Sequence, residues 1–292
     1  MQLLPAVATC RSTRWSLPRH CWLRGGGRHA EAVIACRRAL GLRQDFVDAH
    51  VCLARAMLPG EDYLTLLRRF HEWLKPRTYL EIGVASGRTL SLAKPPTRAI
   101  GIEPEPKLTS EFSARTTVFE MTSDAFFARD DLWRDLGNPV IDFAFVDGLH
   151  LFEQALKDFV NLERRAHGGA VILFHDCLPL DDVTSSRERR TGFWSGDVWK
   201  IVPCLKTYRP DLSVFVIPTW PTGLGVVTGL DPTSKVLPAS FAQAAEQFLP
   251  LDFRYSEDER TRVLNVVDNE WRTIQERISK TTSASRTLSR RS

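Results

Sequence analysis

"TYLEIGVASGRTLSLA", residues 78–93, decides the fold. An apolar run meets a carboxylate, Glu81, and then breaks into Gly83, Ser86 and Gly87. Two later stretches repeat the move: "IDFAFVDGLH", residues 141–150, reaches Asp147, and "GGAVILFHDC", residues 168–177, reaches His175 and Asp176. Unbroken apolar runs of this kind suit strands buried on both faces. Strands are expected at 79–82, 99–103, 117–121, 141–146 and 170–174, with helices around 88–93, 106–114, 124–136 and 151–166. That alternation predicts a parallel sheet with helices on both sides. A loop at 178–196 and a helix at 197–208 come next. "LSVFVIP" and "GLGVVTG", separated by "TWPT", then read as an antiparallel hairpin.

Upstream, residues 27–62 carry small residues at helical spacing, among them Ala32, Ala35, Ala39, Ala49 and Ala54. The segment resembles a tetratricopeptide repeat, with Gln44 where the turn usually has a proline. An array of such repeats needs at least about 3 units to bury a core, so this helical pair is expected to pack on the next domain. Residues 63–255 form that domain, 256–280 a final charged helix and 281–292 a disordered tail. Residues 1–26 are basic, with no acid before Glu31; they read as a poorly ordered extension, the other reading being a targeting presequence.

Composition narrows the class. Of the 292 residues, 43% are hydrophobic and 25% charged, as in an ordinary globular chain. No apolar run approaches the roughly 20 residues of a membrane span. The net charge of +4 sits largely at the ends, and no basic stripe with interleaved aromatics marks a nucleic-acid surface. The six cysteines form no CxxC pair, which argues against a disulfide framework or structural zinc and fits a reducing, cytoplasmic setting.

The acids at the strand ends carry the chemistry, because ligands of an open parallel sheet bind at the carboxyl ends of its strands. Glu103, at the end of the second strand, suits a ribose diol. A dinucleotide site would want G-x-G-x-x-G for its pyrophosphate. Here Glu81 opens the loop, where it would repel phosphate and attract an ammonium group. The cofactor implied has a ribose, a positive charge and no phosphate, which matches S-adenosyl-L-methionine.

In order, "YLEIGVASGRTL", "AIGIEPEP", "TSDAFF", "IDFAFVDGLHLFEQALKDFVNLERRAHGGAVILFHDC" and the final hairpin resemble a class I S-adenosylmethionine-dependent methyltransferase, in the branch with D-G-x-H and H-D. The resemblance implies a Rossmann-like, doubly wound α/β sheet of seven strands, parallel but for an antiparallel terminal strand. It places Glu81, Gly83, Ser86 and Gly87 at the methionine end of the cofactor, Glu103 at the ribose, and Ser123 and Asp124 at the adenine. Metal-assisted O-methyltransferases of the catechol type have an acid after the fourth strand and a polar pair after the fifth, which puts Asp147, His175 and Asp176 on a divalent ion, Mg²⁺ or Mn²⁺. The pair here is His-Asp rather than acid-amide. A metal-free route therefore stays open, with His150 or His175 as general base near Asp147. The expected acceptor is a hydroxyl on a small molecule or glycan. A competing reading is an inactive binding module that recruits a protein through its helical N-terminus, and a second copy of the chain is a further partner to test.

Overall fold

A computed structural model describes residues 28–58, 60–253 and 257–289, so the basic extension expected at 1–26 lies outside the described residues. Two helices, α1 (Arg28–Leu42) and α2 (Val47–Met57), pack on each other at the start. Their contact is made by small and apolar side chains, including Cys36, Leu40, Ala49 and Leu53. A third helix, α3 (Tyr63–Leu74), begins where Asp62 accepts from the Thr65 amide at 2.8 Å. It ends where Lys75 turns into the left-handed region at φ 46°.

The sheet follows, with β1 (Thr78–Ile82), β2 (Arg98–Ile102), β3 (Arg115–Phe119), β4 (Ile141–Val146), β5 (Ala166–His175), β6 (Ser213–Ile217) and β7 (Leu224–Thr228). Its order is β3-β2-β1-β4-β5-β7-β6. The first five strands run parallel, and β7 pairs antiparallel with both β5 and β6, so the hairpin inserts its second arm next to β5. Every β1 residue is buried. Alternation along the strand sends Leu80 and Ile82 to one face and Tyr79 and Glu81 to the other. The first face carries α4 (Ser123–Phe127), α5 (Asp130–Asp135), α6 (Phe152–Arg165), α7 (Ile201–Tyr208) and α8 (Val236–Phe248). The second packs against α3 and α10 (Trp271–Ser289), through Phe70, Ile274 and Ile278.

Several expected helices differ. Residues 106–114 form an extended loop, with Pro104 and Pro106 both inside the crossover. Residues 88–93 hold only a 3₁₀ turn, Leu90–Leu92. The helix expected at 124–136 is two short ones, α4 and α5, broken at Ala128 and Arg129. The final charged region is α9 (Glu257–Leu264) followed by α10. Because α10 runs to Ser289, the tail expected from 281 is helical over most of its length, and 290–292 lie outside the described residues.

Candidate active site

The loop after β1 is shaped by its glycines. Gly83 has φ 87°, and a Cβ there would fall 1.9 Å from the Asp147 carbonyl oxygen at the end of β4. No L side chain fits, because both the conformation and the space exclude it. Ala85 also adopts positive φ, 46°. Its amide donates to Glu103 Oε2 at 3.0 Å, and the Glu105 amide donates to Glu103 Oε1 at 3.1 Å. The 104–114 loop lies across the glycine loop, with the Lys107 amide on Ala85 O at 2.9 Å and the Thr109 amide on Ser86 O at 3.0 Å. Phe112 and Leu108 close against Gly87.

A cavity of about 300 Å³ opens beside this loop. Gly83, Glu103, Ser123, Asp124, Asp147 and Asp158 are among its walls. The structure therefore brings together five of the residues singled out in the sequence: Gly83, Glu103, Ser123, Asp124 and Asp147. At its far end, Gln154 Nε2 lies 3.1 Å from each of Ser123 Oγ, Asp124 Oδ1 and Asp158 Oδ1. An amide group has two protons for those three oxygens. Burial pushes the Asp158 carboxyl up, hydrogen bonds from Ser123 and Gln154 pull it back, and it settles at about 6. Lys157 pairs with Asp124 at 2.6 Å.

Glu81, Ser86 and Gly87 are not among the cavity walls. Glu81 is fully buried on the α3 face. Its Oε2 accepts from the Tyr79 hydroxyl and its Oε1 from Thr89 Oγ1, each at 2.6 Å. Burial raises its carboxyl, the Thr89 and Tyr79 hydrogen bonds offset part of the rise, and it stands at about 8.

The ends of β4 and β5 hold four titratable groups in contact. His150 Nε2 lies 3.3 Å from Asp147 Oδ1, and His150 Nδ1 lies 3.1 Å from Asp176 Oδ2. His175 Nδ1 is 3.3 Å from Asp147 Oδ1 and 3.2 Å from Asp176 Oδ1. Thr222, in the β6–β7 turn, donates to Asp176 Oδ1 at 2.5 Å. Burial works against the imidazolium of both histidines, and the two carboxylates override it: His150 rises to about 9 and His175 well above its ordinary value. Burial likewise opposes the Asp147 charge, but the His175 and His150 imidazoles hold that carboxyl well below the usual range. His150 and Asp176 both sit at positive φ, 60° and 63°. Two such residues facing each other place the strain at the site, as is usual for functional loops.

Aromatic rings flank the cluster. Trp194 stacks on His150, with centroids 5.2 Å apart and planes at 19°. Tyr63, the first residue of α3, lies over His175 at 4.6 Å. The loop after β5 is tied down on both sides. Trp194 Nε1 donates to Ser186 O at 2.6 Å, and Asp197 accepts from the Phe152 amide at 2.8 Å, capping α6 from outside that helix. His150, which could have capped α6, instead faces the acids. The loop also docks on α2: His50 Nε2 lies 3.3 Å from Asp181 Oδ2, and the His50 ring stacks on Phe193 at 5.8 Å. Trp199 is buried, with its ring edge-on to Phe253. Cys177 is a packed thiol pushed up by burial, and Cys36, Cys52 and Cys204 are also buried.

Sequence reading missed Tyr63, Gln154 and Asp158. A signal existed for the last pair: two polar residues four apart on the face of α6 that otherwise presents Phe152, Ala155, Phe159 and Leu162 to the core. Tyr63 carries no such local mark, because only the packing of α3 brings it to His175.

The sheet order β3-β2-β1-β4-β5-β7-β6, with β7 antiparallel, is that of the Rossmann-like methyltransferase fold. Residues 80–177 match the family model described as a methyltransferase domain. No curated protein matches the chain. Among solved structures, it is similar to a methyltransferase from Podospora anserina bound to S-adenosylhomocysteine, at 12% identity over 76% of this chain and 100% of that one, with a TM-score of 0.43. An O-methyltransferase from Bacillus cereus, also with S-adenosylhomocysteine, is 15% identical over 71% and 93%, with a TM-score of 0.39. A putative O-methyltransferase from Klebsiella pneumoniae is 13% identical over 73% and 94%, with a TM-score of 0.39. Among the described residues, no helix is long and apolar enough to cross a membrane.

Proposed function

We propose that the chain transfers the methyl group of S-adenosylmethionine to a hydroxyl on a small molecule or glycan, with a divalent cation held by Asp147, His175 and Asp176. The observation that carries this reading is the donor set. Each of the three residues offers one ligand atom, and these atoms lie within 4.8 Å of one another. His175 Nε2 is buried without a hydrogen-bond partner, and His175 Nδ1 and Asp176 Oδ2 meet only other members of the cluster. Two carboxylate oxygens and one imidazole nitrogen suit Mn²⁺, and Mg²⁺ with water completing its shell. A cation so placed would lower the pKa of an acceptor hydroxyl.

The protein's own contribution is positioning. Glu103 keeps lone pairs on both carboxylate oxygens for the ribose hydroxyls, while the Ala85 and Glu105 amides fix its rotamer. Ser123, Asp124 and Gln154 border the adenine end. Gly83 lets the backbone approach the methionine end, and Asp147 stands between that cavity and the His175–Asp176 pair. Methyl transfer needs in-line alignment of acceptor oxygen, methyl carbon and sulfur, and fixing that geometry can supply most of the rate. Trp194 and Tyr63 offer flat faces on either side of the cluster for a ring-shaped acceptor. A metal-free route is the second reading, supported by the placement of His150 between Asp147 and Asp176.

The test is chelation. Excess EDTA is expected to abolish methyl transfer to a panel of catechols and glycosides while leaving calorimetric binding of S-adenosylhomocysteine intact, and added Mg²⁺ or Mn²⁺ to restore turnover. Full activity in EDTA overturns the metal reading and moves the proton-accepting role to His150 or His175. Absence of cofactor binding would favour a module that only recruits partners.

A further inference from the structure

Glu81 and Thr89 sit at opposite ends of the cofactor loop, and their side chains meet behind it. Glu81 is the last but one residue of β1, and Thr89 immediately precedes the 3₁₀ turn Leu90–Leu92. The Thr89 hydroxyl donates to Glu81 Oε1 and the Tyr79 hydroxyl to Oε2, both at 2.6 Å, so both carboxyl oxygens are engaged. Neither Glu81 nor Thr89 is a cavity wall, whereas Ile82 and Gly83 are. The carboxyl is fully buried, and its side chain makes no ion pair among the described residues. Burial raises this carboxyl, the Thr89 and Tyr79 hydroxyls pull it part of the way back, and the nearby Asp147 charge adds to the rise.

We infer that Glu81 is a positioning residue, a staple that closes the two ends of the cofactor loop through Thr89, and that it acts on the cofactor by fixing the loop rather than by touching it. The staple explains how residues 83–87 hold three positive φ values within five positions. Such a loop needs its ends pinned, because strained conformations persist only where their surroundings determine them. Glu81 pins the loop from the α3 side, and the Ala85–Glu103 bond pins its middle from the β2 side. This role differs from the direct contact with the methionine amino group that the family resemblance implies. It rests on use of the cofactor by this cleft.

A double-mutant cycle on the full chain tests it, with S-adenosylhomocysteine as the titrant. Glu81→Gln and Thr89→Val are each expected to weaken binding about five- to tenfold, and the double variant no further than the weaker single, because both break the same link. Thr89→Ser, which keeps the hydroxyl, should bind within about twofold of the wild type. Losses that multiply in the double variant overturn the staple. So does a tenfold loss in Glu81→Gln with none in Thr89→Val, since that is the signature of direct contact, and so does unchanged binding in both. A second cycle on melting temperature without ligand judges the link independently: shifts that add refute it, and shifts that do not add support it. If the wild type itself gives no binding heat, cofactor use fails, while the melting cycle still decides whether Glu81 and Thr89 act as a unit.

Discussion

The two halves of the cleft are assembled from very different lengths of chain. The half proposed for the cofactor is local: Gly83, Glu103, Ser123, Asp124, Asp147 and Asp158 all fall within the first part of the sheet and its crossovers. The half proposed for the acceptor gathers Tyr63 from α3, His150 after β4, His175 and Asp176 at the end of β5, Trp194 from the following loop and Thr222 from the hairpin. Even α2 takes part, through His50. The lesson is that the cofactor half is set by how one segment folds, and the acceptor half by how distant segments dock. Two neighbouring acids make the same point at atomic scale. Glu81 and Asp147 end adjacent strands, paired in register through Ile82 and Val146. Burial raises the Glu81 carboxyl to about 8 despite its hydroxyl partners, whereas the imidazoles beside Asp147 outweigh burial and drive that carboxyl far the other way. Both acids are buried, and an imidazole neighbour decides which of them carries the charge.

The largest expected effect removes the distinction between the halves. Gly83→Val puts a side chain into the Asp147 carbonyl, so the loop and the end of β4 must both move. Cofactor binding should be lost altogether and the Asp147 cluster displaced with it; calorimetry with S-adenosylhomocysteine reads the first and metal affinity the second. Retained binding would show that the loop is not the cofactor's seat.

Glu103→Ala should separate the halves. It removes the acceptor proposed for the ribose hydroxyls, and a charged hydrogen bond is worth about 1.5–3 kcal/mol, so affinity should fall at least about tenfold. Amide hydrogen exchange across residues 181–197 should not change. Equal affinity in a folded variant would leave Glu103 a purely structural acid.

The converse cut is His50→Ala. It breaks the contact with Asp181 and the stack on Phe193, at a cost of about 1–3 kcal/mol in stability for a buried polar contact. Exchange should quicken in 181–193 while S-adenosylhomocysteine affinity stays within about twofold. A loss of cofactor affinity would mean that the helical pair supports both halves alike.

The last effect lies in pH. The fold raises the Glu81 carboxyl from 4.5 to about 8, so the folded chain retains a proton that the unfolded chain releases. Its contribution to stability is full below pH 4.5 and is lost as pH rises through about 8. Glu81→Gln carries no such proton, so the melting temperature of the wild type relative to the variant should fall steadily between pH 5 and 8. A constant difference across that range would place Glu81 among ordinary ionised acids.

The contrast between the halves also explains how much the sequence disclosed. The parallel core, the inserted hairpin and the glycine loop are legible because each rests on local pattern: continuous apolar runs, a short turn and Gly83 beside a strand end. Asp147, His175 and Asp176 are legible for the same reason, since strand ends converge in this topology. The helix expected at 106–114 fails because backbone bonds to Ala85 and Ser86 hold that crossover extended, a tertiary demand at which only Pro104 and Pro106 hint in the sequence. Glu81 is visible as a strand-end acid, yet its orientation depends on strand parity, which turns it toward α3 and away from the cavity. Tyr63 and Trp194 reach the cluster only through docking, and no spacing in the chain announces it.

The Asp197 cap has a consequence for engineering the acceptor. Because the helix that carries Gln154 and Asp158 begins on a carboxylate supplied by the end of the post-β5 loop, residues 178–196 behave as a cassette clamped between two fixed sockets. One socket is the Leu178 amide on Thr222 O at 2.7 Å, and the other is Asp197. A transplanted loop must leave the first socket unchanged, deliver an acid to the second and meet His50 of α2 between them. Swapping that cassette under those conditions would vary the face proposed for the acceptor while Ser123, Asp124 and Gln154 stay in place.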